Sequence, residues 1–368
     1  MRESETMEFS RRDTKIMKGI AICLMICHHT FTFADRLHGV SYVSLFSLFG
    51  YQFATYFGHF ARVCLYIFTL LGGYGTYISA KKTDDLAAMT GRHLANLYTT
   101  YWKVFVITVP LYFLAGLGPT EHAAQDVIYS FLGMRFSFCE EWWFVVPYAL
   151  LTICFPLMQR VIDRKNAYHF MDFTLIIVIN AVIYYIIPKL ETISIFVPLS
   201  ESMLWDLSYA TLTVLPSYLV GCVLAKYDLL YAVKRRFTGH LSYVVAAIII
   251  MGCAVYIHTY NWEYYDFINA TVVVICALIL LQTKLGRIPA WILEKLGEES
   301  TYMWLLHTVL AYHLCQPLVF APKYSILIFI WLVLLCYVGA KIIRIFWKYV
   351  GVLTTKIFAA RQEVSNGT

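Results

Sequence analysis

Apolar residues in this chain come in long runs separated by short polar loops, not in the two-residue alternation of a membrane β-barrel. A bilayer-spanning helix needs about 20 such residues. Ten stretches fit, at about 16–34, 60–80, 94–117, 142–159, 173–188, 208–225, 241–258, 265–282, 300–320 and 325–349. The pattern predicts an all-α polytopic membrane helix bundle. The stretch 41–58 is aromatic but broken by Gly50 and Gly58, and is expected to be interfacial or re-entrant. No repeat, Pro-rich linker or low-complexity tract divides the chain. One domain over 1–368 is expected, with short tails at about 1–15 and 350–368.

Composition removes the soluble alternatives. The chain is 60% hydrophobic and 14% charged, against about a quarter charged in ordinary soluble domains. Of the ten cysteines, nine lie inside apolar stretches and Cys139 sits in a loop. No CxxC pair occurs, so neither a zinc site nor a disulfide framework is signalled. The first apolar run, from Ile16 to about Ala34, follows an Arg/Lys-rich start and lacks a small-residue cleavage pattern, so it reads as a span.

Charge then orients the bundle. With a cytoplasmic N-terminus, 23 of the 29 Lys and Arg fall on the inner segments, counting Lys18, Lys341, Arg344 and Lys348 at the inner ends of their spans. Arg36, Arg135, Lys189 and Lys323 fall outside, and Arg62 and Lys103 within spans. Such a bias follows the positive-inside rule and places both termini in the cytoplasm. The net charge of +6 is thereby an orientation signal, with no nucleic-acid partner implied.

Ionisable groups in hydrocarbon are costly and mark function by default. The first span holds Lys18, His28 and His29. At 100° per residue, the 11 positions from Lys18 to His29 make three turns plus about 20°, so both share one face roughly 16 Å apart. A cation suited to a phosphate is aligned with an imidazole suited to moving a proton, against the plainer reading of a snorkelling Lys and a satisfied core His. In the ninth span Gly297 is expected to end a short helix, Ser300 to cap the next, and His307 to face the bundle. His307 reads equally well as a helix-to-helix hydrogen bond, and His313 as interfacial. On the inner side, Lys81, Lys82, Arg92 and His93 read as topology signals or as a clamp for a phosphorylated cofactor. Lys103 extends that basic path or pairs within the bundle, and Arg62 is expected to snorkel. On the outer side, Glu140 and Glu141 precede Trp142 and Trp143, a pattern of solvated acids at an aromatic belt or of a carboxylate orienting a histidine.

These residues together resemble the membrane acyltransferase 3 family. Lys18 and His29 match its basic residue, ten others, then His, and Asp13-Thr14 with Lys18-Gly19-Ile20-Ala21 is similar to its run-in. Leu296-Gly297, Ser300, Leu305 and His307 resemble its "LG-x-x-S-x-x-x-x-L-x-H" element. Leu215-Pro216-Ser217-Tyr218-Leu219-Val220-Gly221 and Trp143-Phe144 also sit where members carry similar residues. The similarity covers essentially the whole chain. It departs at the second inner loop, where members often carry R-x-x-R for acyl-coenzyme A and this chain has Arg92, His93 and Asn96.

The resemblance implies a multi-pass O-acyltransferase of the cell (plasma or inner) membrane. Its donor would be acyl-CoA, acetyl-CoA above all, and its acceptor a hydroxyl of an extracytoplasmic glycan. Lys18, Arg92, His93 and Lys103 would hold the donor, His29 would be the general base, and His28 or Glu141 would set its tautomer. His307 and Ser300 would form a further polar site. A transporter or flippase for a lipid-linked sugar is the rival from another class. Joint metal or haem ligation by His307 and His313 is disfavoured, because i,i+6 places them about 240° apart on the helix.

Overall fold

The computed structural model describes residues 9–48, 50–119, 121–164, 168–237, 240–258 and 263–366. α1 (Arg11–Phe31) starts where the Ser10 hydroxyl accepts from the Asp13 N–H and the Asp13 carboxylate accepts from the Ser10 N–H, a reciprocal cap. α2 (Phe53–Ala61) and α3 (Val63–Ala80) follow, then α4 (Leu86–Leu114) and the short α5 (Ala123–Phe131). A 3₁₀ turn at Glu140–Phe144 leads into α6 (Val145–Ile162). α7 (His169–Ala181) passes through a π turn into α8 (Ile187–Leu190), and α9 (Val197–Ser200) precedes α10 (Met203–Lys226). Next come α11 (Leu229–Arg236), α12 (Leu241–His258), α13 (Asp266–Leu281) and α14 (Arg287–Glu298). α15 (Ser300–Thr308) widens into π turns over Val309–Leu314 before α16 (Gln316–Phe320), and α17 (Ser325–Asn366) closes the chain.

All ten stretches expected to span are helical. Among the described residues, seven helical segments are long and apolar enough to cross a membrane: Phe53–Ala80, Leu86–Leu114, Glu140–Ile162, His169–Leu190, Met203–Lys226, Leu241–His258 and Ser325–Lys356. The other three each have a physical reason to fall short. α1 is diluted by Lys18, His28 and His29; α13 has 16 residues; the ninth stretch is divided between α15, the π turns and α16. Two of the three carry His28, His29 and His307.

The 41–58 stretch differs from expectation. Ser47–Leu48 pairs antiparallel with Tyr51–Gln52, and from Phe53 onward the chain is already helical and continuous with the second span. The membrane-like solvent shows on α12 and α17, where Val245, Ile248, Ile249, Ile326, Ile330 and Leu334 are all exposed apolar side chains. α1 is the opposite case: Met17, Ala21, Ile22, Met25 and Ile26 are buried in one continuous core. It lies directly against α14. A Cβ on Gly19 would collide with the Leu293 backbone, and one on Gly297 with the Lys15 carbonyl. Gly297 thus lies within the last turn of α14 as a contact point, instead of ending the helix. Ser300 opens α15 without a side-chain cap bond.

Candidate active site

Two cavities adjoin along α1. One, of about 390 Å³, is lined by Lys18, His93, Asn96, Thr100, Ser300 and Thr301, with an apolar wall including Phe68, Leu71 and Tyr148. The other, of about 500 Å³, is lined by His28, His29, Arg36, Arg62, Glu140, Glu141, Tyr184 and Tyr209. Met25, Phe144 and Trp304 line both. Lys18 and His29 therefore open into neighbouring chambers, as two residues on one face of one helix should. Lys18 forms no ion pair among the described residues.

The histidines cluster at the second chamber. The His29 and His307 rings lie 5.0 Å apart between centroids, and His28 stands edge-on to His29 at 4.9 Å. His307 Nδ1 is 2.6 Å from the Trp304 carbonyl. A carbonyl only accepts, so Nδ1 carries the hydrogen and a neutral His307 keeps its lone pair on Nε2. That Nε2 is buried with no hydrogen-bond partner, as is Nδ1 of His29. The same logic fixes His28, whose Nδ1 donates to the Gly58 carbonyl at 2.9 Å and lies 3.3 Å from Thr32 Oγ1. His28 is thus held by the backbone, while His29 and His307 keep ring nitrogens free for chemistry. Their positions follow from packing: α15 is pinned beside the chamber by the Trp142 indole, which donates to the Leu305 carbonyl at 2.9 Å.

A carboxylate flanks this pair. Glu141 is 5% exposed and accepts from Arg36, which also reaches the exposed Glu140 at 3.3 Å. Burial lowers the Arg36 pKa, but Glu141, Tyr312 and Glu140 together outweigh it, so the guanidinium ends above its ordinary value. Its carbon lies 4.7 Å from the centre of the Phe33 ring, which stacks on His29 at 5.7 Å. Cys139 Sγ lies 3.4 Å from Glu141 Oε2 and 3.2 Å from Thr308 Oγ1. Burial first, and Glu141 second, push that thiol well above its ordinary pKa. It stays protonated at neutral pH and is no ready nucleophile.

The Lys18 chamber is braced by charge. Lys15 bonds Glu298 at 3.0 Å, Arg12 bonds Glu294 at 2.8 Å and Lys234 bonds Asp13 at 2.8 Å, joining the start of α1 to α14 and α11. Glu299, fully buried next to Ser300, accepts from Lys341 at 2.6 Å and from Arg344, both on α17.

Several sequence expectations change at this resolution of contacts. Arg92 is not on a loop; α4 already runs through it, and it is exposed and outside both cavities. His93, Asn96, Leu97 and Thr100, at helical spacing, face the chamber instead. Lys103 lines neither cavity, and its carbonyl accepts from the Trp347 indole at 2.9 Å. Arg62 does not merely snorkel: it pairs at 3.3 Å with Asp266, which also accepts from or shares a proton with His258 at 2.9 Å. Glu141 binds Arg36 and Cys139, and His307 meets its own helix, not a neighbouring one. Sequence reasoning missed Arg36, Met25 and Trp304. Arg36 had a signal, being one of few basic residues set against the inward bias. Among the described residues no group of three or more His, Cys, Asp or Glu is arranged to hold a metal ion.

The acyltransferase 3 family model, described as an acyltransferase domain, matches residues 13–345. The chain belongs to that family and is a multi-pass membrane acyltransferase. No curated relative and no solved structure matches it.

Proposed function

We propose that this acyltransferase takes its acyl group, acetyl in the simplest case, from acyl-CoA and delivers it to a hydroxyl of an extracytoplasmic glycan in the cell membrane. The observation that carries this reading is the pair of adjoining cavities, one lined by Lys18 and the other by His29, whose Nδ1 is free and whose ring centre lies 5.0 Å from that of His307. Lys18 would meet the donor's phosphates, with His93, Asn96 and Ser300 along the arm that rises from them. The roughly 16 Å along α1 between Lys18 and His29 matches a long flexible arm, not a compact donor. Asn96 supplies an amide where family members often have Arg, so Lys18 carries more of the anionic load here. The inward bias of Lys and Arg supports a cytosolic Lys18 side.

In the His29 chamber the acceptor oxygen bonds to the thioester carbonyl carbon while its proton passes to an imidazole nitrogen. The carbon–sulfur bond then breaks, its electron pair leaves on sulfur, and the imidazolium returns the proton to the thiolate. The products are the ester and free CoA thiol. His29 is the general base. His307, with a fixed tautomer and a free Nε2 beside it, relays or balances that proton. Glu141 and Arg36 give the acceptor a carboxylate and a guanidinium to bind, next to Tyr184 and Tyr209, whose rings and hydroxyls suit a sugar. The flippase alternative loses its motive once the chain belongs to an acyltransferase family.

Binding tests the donor half. Acetyl-CoA at about 100 times its Kd should add about 2.7 kcal/mol to stability, seen as a raised Tm of the purified protein in detergent. Lys18→Ala should remove that rise. A lipid-linked sugar that stabilises the protein while acetyl-CoA does not would overturn the reading.

A further inference from the structure

The two cavities share three lining side chains, and these come from three separate elements: Met25 from α1, Phe144 from the 3₁₀ turn and Trp304 from α15. All three are nearly closed off, at 4%, 6% and 7% exposure. Phe144 and Trp304 meet edge to face at 5.8 Å. Together they form an apolar ring at the boundary between the chambers.

Its height along α1 is informative. Met25 lies seven residues past Lys18 and four before His29, or roughly 10 Å and 6 Å along the axis. A donor whose phosphates rest at Lys18, and whose carbonyl reacts beside His29, must pass its acyl group through this ring. Beyond it Arg36, Glu141 and Tyr209 line the second chamber, where the acceptor must bind. Each added methylene then has two poor places to go: into the ring, which interdigitated side chains fill, or into the second chamber, where it takes the acceptor's space beside Arg36 and Glu141. The geometry points to the Met25–Phe144–Trp304 ring as the acyl-length gauge of this enzyme, limiting the donor to short acyl groups by side-chain volume. The inference rests on the acyl-CoA reading above.

The test compares release of CoA thiol from acetyl-, butyryl- and hexanoyl-CoA by the purified full chain. The wild type should prefer acetyl to hexanoyl by at least about tenfold in kcat/KM, the discrimination expected of packing against a few methylenes. Met25→Ala should narrow or reverse that ratio by about tenfold, while Met25→Leu, which conserves volume, keeps it. Phe144→Leu, on a separate element of the ring, should shift the ratio in the direction of Met25→Ala and carries the test if that variant does not fold. Folded variants with the wild-type ratio would overturn the gauge and leave the donor assignment standing. So would a wild type that uses hexanoyl-CoA as well as acetyl-CoA. A wild type that neither binds nor consumes any of the three would overturn the donor assignment and the gauge with it.

Discussion

Alanine is the better helix former, yet Gly19→Ala should destabilise this protein. Gly19 lies mid-way along α1, where replacing Gly by Ala in an unobstructed helix gains about 1 kcal/mol. Against this, a Cβ at Gly19 falls on the Leu293 carbonyl, carbonyl carbon and Cα. Backbone cannot rotate aside, so α1 and α14 must part by an ångström-scale shift. A gap of 0.5–1 Å forfeits roughly a quarter to a half of each contact's dispersion energy, and overpacking of this kind costs about 1–3 kcal/mol. With backbone as the obstacle the upper end applies, leaving a net loss of about 2 kcal/mol. At roughly 2 °C per kcal/mol for a large chain, Tm in detergent should fall by about 4 °C. Gly91→Ala in α4 is the control, because an added Cβ there meets nothing within 4 Å and the site is exposed. It should hold or raise Tm. The same separation would widen the wall between Lys18 and Ser300, so Gly19→Ala should also weaken acetyl-CoA binding. If Gly19→Ala raises Tm as Gly91→Ala does, the close approach of α1 and α14 is refuted.

Glu299→Ala leaves Lys341 and Arg344 facing each other without their shared carboxylate, and should lower stability by about 2–3 kcal/mol, below the full cost of a fully buried pair because both cations are partly exposed; an unchanged Tm would contradict the bracing role. The hydrogen bond from Lys15, helped by Lys295, holds Glu298 below its ordinary value of 4.5, so its stabilisation is complete above that value and is lost as pH falls below it. The Tm gap between wild type and Glu298→Gln should accordingly close on acidification from pH 6 to pH 3, and a gap independent of pH would contradict the pairing. Lys18→Ala should raise KM for acetyl-CoA at least about tenfold, whereas Arg92→Ala, exposed and outside the chamber, should change it less than about twofold; equal effects in steady-state kinetics would place the phosphates at Arg92 instead.

How much of this was legible in the chain depends on whether the relation is local. Lys18 and His29 sit on one helix, so rise and twist alone aligned them, and the structure places them in adjoining chambers. The apolar runs located all ten helical stretches. The start of the second differs, because glycines at 50 and 58 suggest breaks while Gly58 lies inside α2 against Thr32. The basic inner segment around Arg92 reads as a loop from its charge, yet α4 starts at Leu86 and turns His93, Asn96 and Thr100 inward while Arg92 is exposed. The partnerships of Arg36 with Glu141, Arg62 with Asp266, and His29 with His307 join distant segments. No periodicity encodes such pairs. The charged groups themselves announced that something must satisfy them.

Transfer across the bilayer is measured most directly with labelled acetyl groups in proteoliposomes, with acetyl-CoA on the Lys18 side and glycan acceptor on the His29 side. Label should appear on the opposite-side glycan as CoA thiol is released on the donor side. His29→Ala should reduce that rate about 10²–10⁴-fold while keeping the rise in Tm with acetyl-CoA. A folded His29→Ala protein transferring at the wild-type rate, or label confined to acceptor on the donor's own side, would contradict it.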